Sequence, residues 1–145
     1  MPNPILTAVT LGVDDVPASA RFYEALGFRR RFRATGDEIA FFDAGGVVFA
    51  VWDWKKLADD ATEADEPRPK TFRGTTLAWN CRTAEQVDGA LDAALAAGAK
   101  LLRKASRTDY GGYRGYFSDP DGHCWEVVWA PGFEFTDDGR LILPD

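Results

Sequence analysis

The sequence has few of the side chains that most often bind metal ions or form disulfides. Its 145 residues include one histidine and two cysteines. Cys81 and Cys124 form no Cys-x-x-Cys pair and no Cys/His cluster, which argues against the common zinc-binding patterns. Both cysteines fall in predicted strands. We therefore expect two buried free thiols in a reducing compartment rather than a disulfide.

Positive charge is also scarce. Seventeen Lys and Arg residues stand against twenty-three Asp and Glu residues, and the net charge is −6. Proteins that bind nucleic acid usually present a basic surface, so this balance disfavours such a partner. No apolar stretch near the N-terminus is long enough for a signal peptide or a membrane span. We expect a cytoplasmic protein with neither a nucleic-acid nor a membrane partner.

What the chain does contain is a repeated order of predicted elements. The first set is a strand over residues 5–13, a helix begun by Asp14 or Asp15 and ended by Gly27, and strands over 28–33, 38–43 and 46–54. The second set is a strand over residues 75–81, a helix begun by Thr83 and ended by Gly98, and strands over 100–107, 113–118 and 124–129. Turn residues and helix caps bound each element. The pattern predicts an α+β fold with two tandem βαβββ modules.

The repeat also suggests boundaries along the chain. We expect a first module over residues 1–56, a linker over 57–72, a second module over 73–131 and a tail over 132–145, together forming one structural domain. The linker is acidic and contains two prolines, so at most a helical turn is expected at its start. The tail has a turn signal at residues 137–139 and several apolar residues. It is expected to pack on its own domain, with a neighbouring subunit as the alternative.

The last predicted hairpin contains a conspicuous acid. Its strands are separated by Asp-Pro-Asp-Gly at residues 119–122, a sequence typical of a tight turn. Alternation along the second strand places Glu126 on the same face as Cys124 and Val128. If that face is buried, the carboxylate needs a cation, a set of hydrogen-bond donors or a raised pKa. Arg82 and Arg114 are candidates for a structural pair, and contact with a ligand is the alternative.

Three motifs give the chain a family resemblance. They are Val-Thr-Leu-Gly-Val-Asp-Asp-Val at residues 9–16, Ala-Arg-Phe-Tyr-Glu-Ala-Leu-Gly-Phe at 20–28, and Gly-Tyr-Phe-Ser-Asp-Pro-Asp-Gly-His-Cys-Trp-Glu-Val at 115–127. Together they resemble the vicinal oxygen chelate superfamily, which includes glyoxalase I, extradiol dioxygenases and the bleomycin- and fosfomycin-resistance proteins. The resemblance extends through Gly132. It implies paired βαβββ modules that form a curled sheet trough, usually in a homodimer, but it does not decide between metal enzymes and metal-free binders.

The resemblance also implies where a metal would be held. Enzymes of the superfamily bind a divalent ion through His or Glu residues on the first and last strands of the modules. Those positions fall here on Ala8, Ala50, Thr76 and Glu126, and only Glu126 has a side chain of the ligand type. His123, the one histidine, falls in the hairpin turn. We expect no metal cofactor, since a stable site needs several ligands at one point; a divalent metal held by misplaced ligands is the alternative.

The expected trough has small residues at its floor and aromatic residues at its walls. Alternation places Trp52 on the same face as Val48 and Ala50. The candidate ligand-binding residues are Trp52, Thr10, Thr76, Asn80, Tyr110, Tyr116 and Glu126. The glycine-rich stretch over residues 109–113 is either a lid or a plain strand connection. Such a pocket suits a flat or apolar organic ligand.

Three functional hypotheses follow. The first is a metal-free protein that resembles the bleomycin-resistance branch and holds an aromatic or hydrophobic small molecule. The second is a glyoxalase-like lyase or isomerase or a dioxygenase, either metal-dependent or using Glu126 as a general base. The third is a dimeric interaction module whose pocket is filled by its own side chains. Missing metal ligands favour the first, and no residue besides Glu126 is a catalytic candidate.

Overall fold

The structure is a computed structural model that describes residues 4–145. The first predicted module begins at residue 1, so its first three residues lie outside the described part of the chain. The described chain divides into two compact units. Unit one contains residues 4–68 and Asp138–Arg140, and unit two contains Pro69–Asp137 and Leu141–Asp145. Each unit contains one four-stranded sheet.

Unit one has one helix inserted between the first and second strands of its sheet. Its elements are β1 (Ala8–Val13), α1 (Val16–Ala25), β2 (Arg29–Arg31), a 3-10 turn (Arg33–Thr35), β3 (Ile39–Asp43), β4 (Val48–Asp53) and α2 (Trp54–Thr62). The strand order is β1-β4-β3-β2, with β1 parallel to β4 and the other neighbours antiparallel. Helix α1 begins at Asp15, whose carboxylate accepts a hydrogen bond from the Ala18 amide at 2.9 Å.

Unit two repeats this arrangement. Its elements are β5 (Leu77–Asn80), α3 (Ala84–Ala96), β6 (Lys100–Arg107), β7 (Tyr113–Ser118), β8 (Cys124–Trp129) and a short hairpin of β9 (Glu134–Phe135) and β10 (Leu141–Ile142). The strand order β5-β8-β7-β6, with β5 parallel to β8, matches that of unit one. Thr83 caps α3 by accepting a hydrogen bond from the Gln86 amide at 3.2 Å. The predicted α+β fold with two βαβββ modules is confirmed.

Each helix covers one face of its sheet. In unit one, Tyr23 of α1 is fully buried and packs against Phe42 and Phe49, whose rings stack 4.9 Å apart. In unit two, the face under α3 carries Gly115 and Val127, and a Cβ at Gly115 would lie 2.6 Å from a Leu91 methyl group. Alternation sends the intervening residues to the other side. We call the side turned away from α1 or α3 the distal face of each sheet.

The acidic segment after β4 is more ordered than its sequence indicated. Helix α2 spans nine residues, none of them buried, where only a helical turn was expected. The Asp53 side chain starts it by accepting from the Lys56 amide at 3.0 Å. Beyond the helix, the Trp54 indole N–H donates to the Glu66 carbonyl at 3.0 Å, and the Arg68 guanidinium lies 5.2 Å from the Trp54 ring centre. The apolar residues Trp54, Leu57, Ala58 and Ala61 do have helical spacing, but Trp54 was predicted to end a strand and the other three to lie in the linker.

The tail contacts residues of unit two. Leu141 pairs with Phe135 in the hairpin of β9 and β10, and the Arg82 guanidinium lies 5.0 Å from the Phe135 ring centre. Arg82 also donates to the Thr136 carbonyl at 3.2 Å. These contacts lie within the chain; packing of the tail on its own domain rather than on a neighbouring subunit stays a prediction. Among residues 4–145, no helix has the length and apolar character required to cross a membrane.

Candidate functional site

The distal face of unit one is apolar around Trp52 and charged at its β2–β3 edge. Thr10 pairs with Ala50, Ala50 with Phe41 and Phe41 with Arg31, so these residues form one row across the sheet. Arg31 forms an ion pair with Asp43 at 3.0 Å on the same face. The next row contains Trp52, paired with Gly12 and with Ile39. The Trp52 side chain is half-buried, and Ala50 is 1% exposed. The result is an indole beside small residues, as the alternation of β4 predicted.

A second indole lies at the end of the same face. A Cβ at Gly12 would lie 2.8 Å from Cε3 of Trp54, so the Trp54 ring rests on the backbone at Gly12. Its ring is in turn held by Arg68 and by the Glu66 carbonyl. Sequence reasoning did not place Trp54, Phe41 or Ile39 on this face. The signal was present in the predicted strands, but it required the pairing register of β3 with β4 and of β1 with β4.

The distal face of unit two is polar. Tyr116 of β7 and Glu126 of β8 are direct partners in the antiparallel ladder, so their side chains lie next to each other on this face. Burial raises the pKa of Tyr116, and the nearby Glu126 carboxylate raises it further. On its other side Glu126 pairs with Ala78. Glu126 is half-buried and has a tyrosine as its cross-strand partner.

The expected ion pair between Glu126 and an arginine is not what the structure shows. Arg114 donates from Nη1 to Oγ of Ser106 at 2.9 Å, and Arg82 contacts the tail. Within residues 4–145 neither guanidinium forms an ion pair with Glu126. Tyr116 is the direct cross-strand partner of Glu126, whereas Arg114 is a diagonal neighbour. Side chains of directly paired residues lie closer together than those of diagonal neighbours.

The two cysteines are poor nucleophiles. Burial raises the pKa of the Cys81 thiol to about 11. Burial also raises the pKa of Cys124, and the Glu126 carboxylate adds to that shift. Because the thiolate is the reactive form, both shifts reduce reactivity at neutral pH. Both residues are free thiols; Cys81 is buried as expected, whereas Cys124 is half-buried.

His123 belongs to the turn of the β7–β8 hairpin. The Asp119 carboxylate accepts hydrogen bonds from the amides of Asp121 and His123, at 2.9 and 2.8 Å. Arg73 extends to this turn, with Nη1 3.1 Å from Nδ1 of His123 and Nη2 donating to the Asp121 carbonyl at 2.7 Å. Gly122 has a φ of +85°, which suits glycine at this corner. These contacts give His123 a structural role in the turn.

The remaining candidate residues lie in different places. Asn80, the last residue of β5, pairs with Val128 and is half-buried on the distal face of unit two. Thr76 precedes β5 and is exposed. Tyr110 is 58% exposed in the turn between β6 and β7. That turn is closed by hydrogen bonds between Thr108 and the backbone of Gly111 and Gly112, an arrangement typical of a plain strand connection.

Comparison with known proteins identifies the family. The family model for the glyoxalase/bleomycin resistance protein/dioxygenase superfamily matches residues 5–127. The chain belongs to this superfamily. A glyoxalase-related enzyme from Fulvimarina pelagi has a similar crystal structure, with 37% identity, a TM-score of 0.86, and coverage of 97% of this chain and 99% of that one.

Other superfamily structures are more distant. A glyoxalase/bleomycin resistance protein/dioxygenase from Nocardioides has 26% identity and a TM-score of 0.71, with coverage of 91% of this chain and 87% of that one. A lactoylglutathione lyase from Agrobacterium tumefaciens has 22% identity and a TM-score of 0.67, with coverage of 92% of this chain and 100% of that one. At this identity the similarity supports the fold only. No curated protein matched the sequence.

Three of the superfamily's four metal-binding positions carry no His, Asp, Glu or Cys side chain in this chain. Ala8 and Thr76 are exposed at or before the first strands of their modules, and Ala50 occupies β4. Only Glu126 offers a carboxylate. In the part of the chain that the structure describes, no group of three or more His, Cys, Asp or Glu side chains is arranged to hold an ion. The residues present do not fit the superfamily's divalent metal.

Proposed function

We propose that the protein binds a small aromatic or apolar organic molecule without a metal ion, as the bleomycin-resistance branch of the superfamily does. The observation that supports this most directly is the half-buried Trp52 indole on the distal face of unit one, next to Ala50 and Gly12. A flat ligand gains contact area by stacking on an indole. Trp54 covers Gly12 and Ala50 is 1% exposed, so such a ligand would lie against the half-buried Trp52, Phe41 and Ile39 side chains. Thr10 supplies a hydroxyl in the adjacent row.

The neighbouring side chains support a site for a flat ligand. Phe41 and Ile39 continue the apolar surface on β3, and Trp54 closes one end of it over Gly12. Ligand sites are typically apolar with few polar groups that fix orientation. The part of this face around Trp52 has this composition, with Thr10 as its polar group. At its β2–β3 edge the same face carries the ion pair of Arg31 and Asp43, at 3.0 Å.

The test is a fluorescence titration of the protein with a panel of aromatic natural products. We expect quenching or a spectral shift for some compounds, with affinity at least about tenfold weaker in Trp52→Ala, because a stacked aromatic contact contributes about 1 kcal/mol beyond its buried area. Leu102→Ala is the matched control, since Leu102 is an exposed apolar residue of β6. Equal affinity of Trp52→Ala and the wild type would contradict the assignment.

The rival function is an enzyme that uses Glu126 as a general base. The cross-strand pairing of Tyr116 with Glu126 favours it, since a proton donor beside an acceptor is common in acid–base catalysis. The similarity to a glyoxalase-related enzyme at 37% identity points the same way. Activity against glyoxalase-type substrates that survives in Glu126→Gln at the wild-type rate would remove the base assignment. A metal-free turnover that disappears in this variant would favour the enzyme over the binding protein.

A further inference from the structure

We propose that the distal face of unit two binds the carboxylate of a small organic acid through Arg114, with Glu126 and Tyr116 taking a hydrogen-bond donor of the same molecule. The residues of this site belong to unit two, whereas the Trp52 surface belongs to unit one. Its ligand class is a hydroxylated or aminated carboxylic acid.

The first observation is the electrostatic state of Arg114. Its side chain is half-buried, and its hydrogen bond at 2.9 Å goes to the neutral Ser106 hydroxyl. Among residues 4–145, no carboxylate forms an ion pair with this guanidinium. A partly desolvated guanidinium favours a carboxylate that it can contact through two parallel hydrogen bonds. Ser106 fixes the side chain while leaving its other N–H groups available.

The second observation is the placement of the polar residues in rows across the sheet. Arg114 shares a row with Val128 and Asn80, and Tyr116 shares the next row with Glu126. Residues two apart on one strand are separated by about 7 Å and point to the same side. A ligand whose anionic group lies on Arg114 therefore presents a group about 7 Å away to the Tyr116–Glu126 pair. A hydroxyl or amine there can donate to the carboxylate.

On the opposite face of the same sheet, Arg107 has different surroundings from those of Arg114. Arg107 of β6 lies 5.8 Å from the ring centre of Tyr113, and the Tyr113 hydroxyl donates to Asp88 of α3 at 2.7 Å. On that face, the arginine stacks on an aromatic ring that is tied to the helix. Arg114 has no such ring contact among the described residues. Arg107 is thus a matched control for a change of charge in the same module.

The experiment is an NMR titration of the full chain with 4-hydroxybenzoate, whose carboxylate and hydroxyl lie at opposite ends of a ring. We expect shifts in amides of β7 and β8. Arg114→Gln should weaken binding at least tenfold, since hydrogen bonds to charged groups contribute more than neutral ones. Arg114→Lys should recover part of the affinity, and Arg107→Gln should bind like the wild type. The uncharged 4-hydroxybenzamide should bind weakly to all four proteins.

A second arm tests the donor contact. Glu126→Gln should weaken 4-hydroxybenzoate several-fold and leave benzoate, which lacks the hydroxyl, unchanged. The amide spectrum of each variant verifies that it is folded. Equal affinity of Arg114→Gln and the wild type, or shifts that leave β7 and β8 unaffected, would overturn the proposal. If ligands bind in a Trp52-dependent way while 4-hydroxybenzoate causes no shifts in β7 and β8, this site is ruled out and the proposed function stands. If 4-hydroxybenzoate shifts amides of β7 and β8 while no ligand depends on Trp52, this site stands and the proposed function is ruled out.

Discussion

The two modules have the same strand order but carry different side chains at equivalent positions in the middle of their distal faces. Ala50 in unit one lies between Thr10 and Phe41, and the equivalent Glu126 in unit two lies between Ala78 and Tyr116. In the adjacent rows, Trp52 and Ile39 correspond to Val128 and Arg114. One module therefore presents an apolar surface at the positions where the other presents an acid, a phenol and a guanidinium.

This difference separates what determines the fold from what determines the chemistry. Each module is specified by a capped helix, a glycine after it and strands with one buried face. Residues on the distal face alternate with those core positions, so they can change without altering the topology. Function in this superfamily must accordingly be argued from the distal faces, residue by residue.

The largest effect is expected when a glutamate is introduced into unit one at Ala50, the position equivalent to Glu126 of unit two. In Ala50→Glu a carboxylate enters a position that is 1% exposed, beside Phe41 and Thr10. An unpaired buried charge costs about 3–5 kcal/mol of unfolding free energy. Burial raises the pKa of the new carboxyl above its unfolded value. The part of the loss that comes from the charge is therefore absent below about pH 4 and appears as the pH rises through the raised pKa, whereas the cost of the larger side chain is present at every pH.

Urea unfolding of Ala50→Glu at pH 7 and at pH 3.5 measures this effect. Glu126→Ala is the matched change in unit two and should alter the unfolding free energy by less than about 1 kcal/mol, because Glu126 is half-buried and keeps solvent access. Equal losses in the two variants would show that the two distal faces are not different environments.

A smaller, pH-dependent effect on the unfolding free energy is expected from the residue two positions before each helix cap, because the two modules differ there. Val13 occupies this place in unit one and Cys81 in unit two, and both are buried. Burial raises the pKa of Cys81 from about 9 to about 11, so its contribution is present below pH 9 and is lost as the pH rises through 11. The loss at pH 11 is about 2 kcal/mol.

Cys81→Val gives unit two the residue that unit one already has. Its unfolding free energy should fall less than that of the wild type between pH 9 and pH 11, as followed by circular dichroism in urea. Tyrosines and lysines titrate in both proteins, so the difference between the two curves isolates the thiol. Parallel curves would contradict the assignment of the shift to burial of Cys81.

The smallest expected effect is one that the modules should share. Asp15 and Thr83 cap equivalent helices through hydrogen bonds of 2.9 and 3.2 Å. Replacing either with alanine should lower the unfolding free energy by about 1 kcal/mol, as is usual for the loss of a helix cap. Thermal unfolding of the two variants gives the comparison. A loss confined to one variant would show that the helices are stabilised differently despite their common topology.

Much of the fold could be predicted from the sequence because its signals are local. The bounds of β6, β7 and β8 coincide with the predicted strands, and Asp15 and Thr83 begin the two helices. Strand β5 is shorter than predicted because Thr75 and Thr76 precede its pairing with β8. Caps, glycine stops and alternation act over a few residues, so they can be recognised in a single sequence.

The site was harder to predict from the sequence, because it depends on the strand register and on which side chains contact each other. Alternation placed Trp52 and Thr10 on one face, but the Tyr116–Glu126 contact needs the β7–β8 pairing, and the Arg114–Ser106 bond lies across a ladder with register shifts. No sequence rule states which of several polar side chains an arginine contacts. The ligand, the homodimer and the cytoplasmic location stay predictions.

The parallel pairing of the first and last strands in each module has a consequence for the order of folding. Hairpins β3–β4 and β7–β8 join neighbouring segments, whereas the pairing of Ala8 with Val48 and of Leu77 with Trp125 closes loops of about 40 and about 50 residues. Long loops form late, because their closure entropy is lost before contacts compensate for it. On the ribosome, all four strands of the first sheet emerge before β5, so that sheet can close while the second is still being synthesised.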